Sequence, residues 1–218
     1  MIREHIFSGR TPTDPHFRWR GGDVSRIEGL TDAAFAFSIT LLVVGAFLEE
    51  ITTARALIDG MREIAVLAPC FVVVIWIWSV HHQFFRRYGL EDHLTIVLNS
   101  AFLFAVMVYV YPLKFLFRFV IEIVILRQAS ASEFVTAADC LPMMRIYGGG
   151  FIAVFGLLAL MTQHALRQRQ RLQLDAIEVQ ITRDAIGALW ITASFGVLSI
   201  LITLLPLPWP VGAVAGVA

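Results

Sequence analysis

The amino-acid sequence predicts an all-α integral membrane protein: a helical bundle of five full spans plus a short or truncated sixth. Three observations lead there. Hydrophobic residues are 58% of the chain and charged ones 16%, against about 45–50% and about 25% in soluble domains. Mean hydropathy is +0.74. The apolar excess is gathered into runs without Asp, Glu, Lys or Arg, at residues 33–48, 64–85, 94–113, 146–166 and 185–205. Each approaches the roughly 20 residues that carry a helix across a hydrocarbon core.

Taken in order, residues 1–25 hold Arg3, Arg10, Arg18 and Arg20 among polar residues and prolines, with no apolar core. They read as a flexible cytosolic N-terminal tail that touches anionic headgroups, and not as a signal peptide. Residues 26–218 then form a single transmembrane helical domain. The first run starts behind Asp32, and an ionisable residue at the edge of a span is a functional candidate. Residues 49–63 make a polar connection. Pro69 lies inside the second run, where neighbouring helices or water accommodate it. That run ends among Trp76, Trp78, Tyr88 and Arg86-Arg87, a pattern suited to a membrane surface. The third run ends at Tyr111-Pro112.

Residues 114–126 carry Lys114, Arg118 and Glu122 at spacings of four, which a helix aligns on one face. The stretch reads as a continuation of the third helix beyond a proline kink, with an interfacial helix as the alternative. Residues 127–142 read as a polar loop. The fourth run opens on Gly148-Gly149-Gly150, which lets another backbone come close. Arg167, Arg169 and Arg171 then open a charged cytosolic helix with Leu174, Ile177 and Ile181 on one face, ahead of the fifth run. Residues 206–218 are apolar with three prolines, too short to cross alone. With the N-terminus inside, eleven basic residues fall on cytosolic segments and six outside, so charge bias predicts a cytosolic N-terminus.

The chemistry is narrowed by what is missing. Seventeen basic and 17 acidic residues give zero net charge, so no electrostatic case for nucleic acid exists. Cys70 and Cys140 are isolated, with no disulfide framework or ligand spacing. No Ser-His-acid set or Gly-rich phosphate loop is present; no enzyme, no cofactor and no metal site is predicted. His81 and His82 point about 100° apart on a helix and serve one metal poorly; a hydrogen-bond role at the span end suits them better. No TVGYG-like filter and no arginine-every-third-residue sensor appears, which excludes a voltage-gated potassium channel of that kind.

The first span, turned as a helix, has two faces. Phe37, Thr40, Leu41, Val44 and Leu48 fall within about 60° of one line, while Asp32 points about 140° away with Glu28 on its side. Periodicity alone leaves this stripe as lipid-facing, bundle-packing or pore-lining. The residues Arg26-x-x-x-Leu30-Thr31-Asp32, followed by Ala-Ala-Phe-Ala-Phe-Ser-Ile-Thr-Leu-Leu-Val, resemble the first helix of the transmembrane-protein-175 family of potassium channels, in its bacterial single-repeat branch. The family signature is Arg-x-x-x-Phe-Ser-Asp; Leu30 and Thr31 depart from it. Trp78-x-x-His81-His82-x-Phe-Phe85, Leu98-Asn99 and Tyr111-Pro112 add to the likeness, which covers roughly residues 24–115.

The resemblance implies a homotetramer in the cell (plasma) membrane, in contact with the lipid bilayer and passing K+ ions. The first helices would line the pore with Phe37, Thr40, Leu41, Val44 and Leu48. Phe37 would stand where the family has the leucine or isoleucine of its narrowest ring, a hydrophobic constriction. Thr40 would be the polar ring near it. Arg26 and Asp32, which do not share a face, would take partners on the second and third spans, with Trp78, His81 and Asn99 as candidates. Acidic residues including Glu49, Glu50 and Asp59 would concentrate cations at the outer mouth. The alternatives are a non-conducting scaffold or sensor of the same fold, favoured by Leu30, Thr31 and Phe37, and a secondary transporter. The transporter reading needs an ionisable residue on a water-lined face midway through a span, and the sequence offers none.

Overall fold

A computed structural model describes residues 10–11, 14–44, 53–121 and 137–205. A short antiparallel pair, β1 (Arg10–Thr11) and β2 (Asp14–Arg18), precedes five helices: α1 (Arg26–Val44), α2 (Ala54–Tyr88), α3 (His93–Phe119), α4 (Ala137–Arg167) and α5 (Ala176–Ile202). All five helices are long and apolar enough to cross a membrane. Leu48, Glu49, Glu50, residues 122–136 with most of the expected loop, and the expected sixth span at residues 206–218 lie outside the described residues.

Several helices outrun the uncharged stretches that announce them. α2 begins at Ala54, so the expected polar connection is largely its first turns. Its Glu63 stays helical because Lys114 (3.8 Å) and Arg118 of α3 neutralise it. The same contacts explain why α3 continues through Pro112 to Phe119 as the third helix rather than leaving as a separate interfacial one. Residues 137–142, read as loop, belong to α4. Ala137, Ala138 and Leu141 there are strong helix formers and Met143 and Met144 follow, which outweighs Pro142.

The expected charged helix after Arg167 is not separate either. The chain makes a tight turn, with Gln173 at φ 50°, and Asp175 starts α5. Asp175 accepts from the Glu178 backbone N–H (2.8 Å) while Glu178 accepts from that of Asp175 (3.0 Å). This reciprocal cap satisfies two of the donors that a helix start leaves open. Ile177 and Ile181 therefore sit on the first turns of the fifth span itself.

The core gathers Val74 and Ile77 from α2, Phe102 and Val106 from α3, and Phe155 and Leu158 from α4. α5 docks mainly on α4, where backbone meets backbone. A side chain at Gly148 would come within 2.7 Å of the Gly196 carbonyl, and one at Gly196 within 2.6 Å of the Gly148 carbonyl. Small residues permit that close crossing.

The largest departure is at the N-terminus. Residues 14–25 are no loose tail: they form a strap across one end of the bundle. Phe17 is fully buried, edge-on to Tyr88 at 5.5 Å, with the guanidinium of Arg87 4.9 Å from its ring centre. Arg87 donates through Nε to Asp14 (2.8 Å). The backbone N–H groups of Arg20 and Gly21 both donate to the Arg86 carbonyl (3.1 Å). A Cβ at Gly21 would lie 2.4 Å from the Phe85 carbonyl oxygen, so only glycine allows this approach. The strap holds because an aromatic side chain and paired charges give it somewhere to bury.

Candidate functional site

The strap delivers the chain directly into α1. Ser25 and Glu28 cap its first turn reciprocally: each backbone N–H donates to the other's side chain at 3.2 Å. Glu28 also faces Arg86 at 3.5 Å. It is thus engaged within its own chain.

α1 buries one side only. Glu28, Thr31, Phe35, Ser38 and Leu42 are buried against α2 and α3. On the opposite side Phe37 (52%), Leu41 (46%) and Val44 (52%) are exposed, and so is Thr40. The polar groups along the helix are mostly self-contained. Thr31 donates to the Ile27 carbonyl (2.8 Å), Ser38 to that of Ala34 (2.8 Å) and Thr40 to that of Ala36 (2.9 Å). Thr40 spends its one hydroxyl proton on the backbone, so its oxygen lone pairs are what it offers outward.

The anchored side is held by two hydrogen-bonded branches. Asp32 accepts the indole N–H of Trp78 from α2 at 2.8 Å, and that indole stacks on His82 at 5.2 Å. Thr31 accepts from the Asn99 amide of α3 at 3.0 Å, and Asn99 Oδ1 lies 2.6 Å from His81 Nε2. An amide oxygen only accepts, so His81 donates there. The branch runs one way: His81 to Asn99, Asn99 to Thr31, Thr31 to the Ile27 carbonyl. His81 is buried, its ring stacked on Phe102 at 4.9 Å and flanked by Phe35 and Phe85.

Of the residues expected in one network, Asp32 meets Trp78 and His81 meets Asn99, and the two branches reach α1 through adjacent residues. Arg26 joins neither. It is exposed, and its side chain has no hydrogen bond or ion pair with any described residue. Thr31 is the member that sequence reasoning passed over. It stands where the family has serine and offers the same hydroxyl to Asn99. Its signal was available, because a hydroxyl one residue before Asp32 faces a second neighbouring helix. Among the described residues, no group of three His, Cys, Asp or Glu side chains converges.

One polar cluster at the ends of the spans, centred on Asp92 in the turn between α2 and α3, ties that turn to the end of α4. Asp92 accepts from Thr95 (2.5 Å) and pairs with His164 (2.8 Å). Partial burial works against its charge, but the bonds from Thr95 and His164 prevail and hold its carboxyl below the usual value.

Comparison with known proteins converges on one family. Residues 26–109 match the family described as the endosomal/lysosomal potassium channel TMEM175. A potassium channel from Marivirga tractuosa is 37% identical over 210 residues, covering 94% of this chain and 84% of the relative. The crystal structure of the potassium channel MtTMEM175, a threonine-to-alanine variant in complex with a nanobody–MBP fusion, superposes with a TM-score of 0.83 at 36% identity. That match covers 95% of this chain and 89% of the other. A TMEM175 homologue from Chamaesiphon minutus shares the fold at a TM-score of 0.51 and 19% identity, covering 82% of this chain and 89% of that one. The chain belongs to the TMEM175 family of potassium channels, which are ion channels and not enzymes.

Proposed function

We propose that four copies of this chain form a potassium-preferring channel whose pore is lined by the α1 helices. The observation that carries this reading is the two-sidedness of α1. One side is tied to α2 and α3 by Thr31, Asp32 and packed aromatics, while the other presents Phe37, Thr40, Leu41 and Val44 uncovered. A single chain contributes one such helix, so a ring needs several copies, and closed rotational symmetry supplies it. The relatives named potassium channels give the ion.

In this assembly Phe37 sets the aperture. Bulky apolar rings gate by expelling water, and an ion passing them loses hydration. Thr40 follows within a turn and offers hydroxyl oxygens to a partly dehydrated cation. Arg26 stands at the strap-side mouth, where a cation is repelled unless its guanidinium turns to a partner on a neighbouring subunit. The strap, Arg86, Arg87 and the turn after Arg167 occupy one end of the bundle, joined by Arg20 to the Arg18 and Leu172 carbonyls. That end is rich in arginine, which supports a cytosolic N-terminus in the plasma membrane.

A non-conducting member of the same fold is the competing reading, and the bulk of Phe37 favours it. Thr31 no longer does, since its hydroxyl occupies the network as serine would. The deciding experiment is potassium efflux from proteoliposomes holding the purified oligomer, with sodium as the comparison ion. Potassium efflux above sodium is expected. Intact tetramers that release neither ion would establish the non-conducting reading.

A further inference from the structure

On the strap side of the bundle, α2, α4 and α5 leave between them an open groove of about 210 Å³. Along α2 it is lined by Trp76, Val80, Gln83 and Arg87, residues that recur on one helical face. Its floor is apolar, with Phe84 and Phe155 against Leu189. The threonine hydroxyls at its walls are spent: Thr162 donates to the Leu158 carbonyl and Thr192 to that of Ala188.

Depth is the telling feature. The α2 span runs from Glu63 to Tyr88, so Trp76 lies at its middle and Arg87 at its end. Eleven residues at about 1.5 Å each separate them, roughly 16 Å, which is one half of a hydrocarbon core of about 30 Å. The groove therefore follows a single leaflet from midplane to surface.

Its polar groups are graded in the same direction. Gln83, one turn inside Arg87, is exposed, and its amide has no hydrogen-bond partner among the described residues. An unpartnered amide at that depth is costly unless something accepts from it. Arg87 uses Nε for Asp14, which leaves its two η nitrogens for another acceptor at the groove mouth.

We infer that this groove holds one anionic phospholipid of the strap-side leaflet, with an acyl chain lying from Arg87 to Trp76. Gln83 donates to an ester carbonyl of the glycerol backbone, and the Arg87 η nitrogens donate to the phosphate. Neutral lipids share the chain and ester, so they bind the same groove more weakly.

Native mass spectrometry of the purified full-length chain, delipidated in detergent and titrated with dioleoyl phosphatidylglycerol or dioleoyl phosphatidylcholine, tests this. The parent is expected to retain phosphatidylglycerol at roughly tenfold lower lipid concentration than phosphatidylcholine, as a charge-assisted contact provides. Gln83→Leu is expected to weaken both lipids several-fold and keep the preference between them. Ala188, exposed on the groove wall, allows it to be filled. The series Ala188→Val, Ala188→Leu and Ala188→Trp is expected to lose both lipids in step with size, at unchanged helix content and oligomeric state. The graded series keeps the measurement available where the largest side chain impairs expression. Lipid retention unchanged across the series, or equal retention of the two lipids by the parent, overturns the proposal. Dissociation of the oligomer along the series also overturns it, by assigning the groove to a neighbouring copy.

Discussion

Arg20 grips Glu178 with both ends of its guanidinium: Nη2 lies 2.6 Å from Oε2 and Nη1 3.2 Å from Oε1, with the Glu178 side chain only 2% exposed. The same carboxylate receives the Arg18 backbone N–H at 2.8 Å and caps α5. One buried acid thus joins the strap to the start of the last described helix, and through the strap to the entry of α1.

Removing one side of this pair leaves the other charge buried. Arg20→Ala is expected to cost about 3 kcal/mol, at the lower end of what a broken buried pair costs because Arg20 retains some solvent contact. Arg20→Lys keeps the charge but not the fork, so it falls between parent and Ala. Thermal melts in detergent, together with protease cleavage between residues 18 and 25, read the effect. An Arg20→Ala protein that melts like the parent, with an uncut strap, would show that the pair holds nothing.

The strap also marks where sequence reasoning ended. Its partners are far apart in the chain: Arg20 and Glu178 are separated by 158 residues, Asp14 and Arg87 by 73. No local period announces such a contact, and a basic, proline-containing segment looks like a tail. The stripe on α1 was legible because helical period alone separates Phe37, Thr40, Leu41 and Val44 from the buried side. Helix ends were misread for a different reason. Counting uncharged residues stops at Glu63 or Asp184, whereas a neutralised or capped charge stays helical. The Asp175-x-x-Glu178 and Ser25-x-x-Glu28 patterns did carry cap signals, and both form.

Asn99 sits between the His81 donor and the Thr31 hydroxyl, so its removal leaves the His81 N–H without an acceptor and takes from Thr31 the bond it accepts. Asn99→Ala is expected to cost about 2–4 kcal/mol, from two buried groups at about 1–3 kcal/mol each with partial relaxation. Thr31→Ser retains the hydroxyl and is expected to stay close to the parent, whereas Thr31→Val does not. A double-mutant cycle between Thr31→Val and Asn99→Ala, read by melting of the oligomer, should return a coupling of about 0.5–3 kcal/mol. Strict additivity would mean that the two residues do not act on each other.

Asp92 predicts an acid limit. Its carboxyl titrates below the usual value in the folded chain. A group lowered on folding stabilises above its unfolded pKa, about 3.9 for Asp, and that contribution is lost as pH falls through the folded value. Asp92→Asn is therefore expected to lower Tm at neutral pH and to converge on the parent as pH falls below the folded value. A gap between the two proteins that persists unchanged into acid would assign the effect to packing instead of charge.

Phe37 and Thr40 test the pore most directly, because they differ in what they ask of an ion. If α1 lines the pathway, Phe37 controls whether water is continuous and Thr40 controls which ion is preferred. Phe37→Ala widens the ring and is expected to raise single-channel conductance in planar bilayers. Phe37→Asn keeps more of the bulk but wets the ring, so open time should lengthen and selectivity weaken. Thr40→Val is nearly isosteric and removes only the oxygen, since the hydroxyl proton already belongs to the Ala36 carbonyl. It should lower the potassium-to-sodium permeability ratio while leaving assembly intact. Val44, exposed one turn further along the same line, is the apolar reference: Val44→Ala changes conductance less than Phe37→Ala and leaves the permeability ratio unchanged. A ratio unaltered by Thr40→Val, measured on channels that still conduct, would remove Thr40 from the ion's path. Currents identical to the parent in all of these variants would place the pore on another helix.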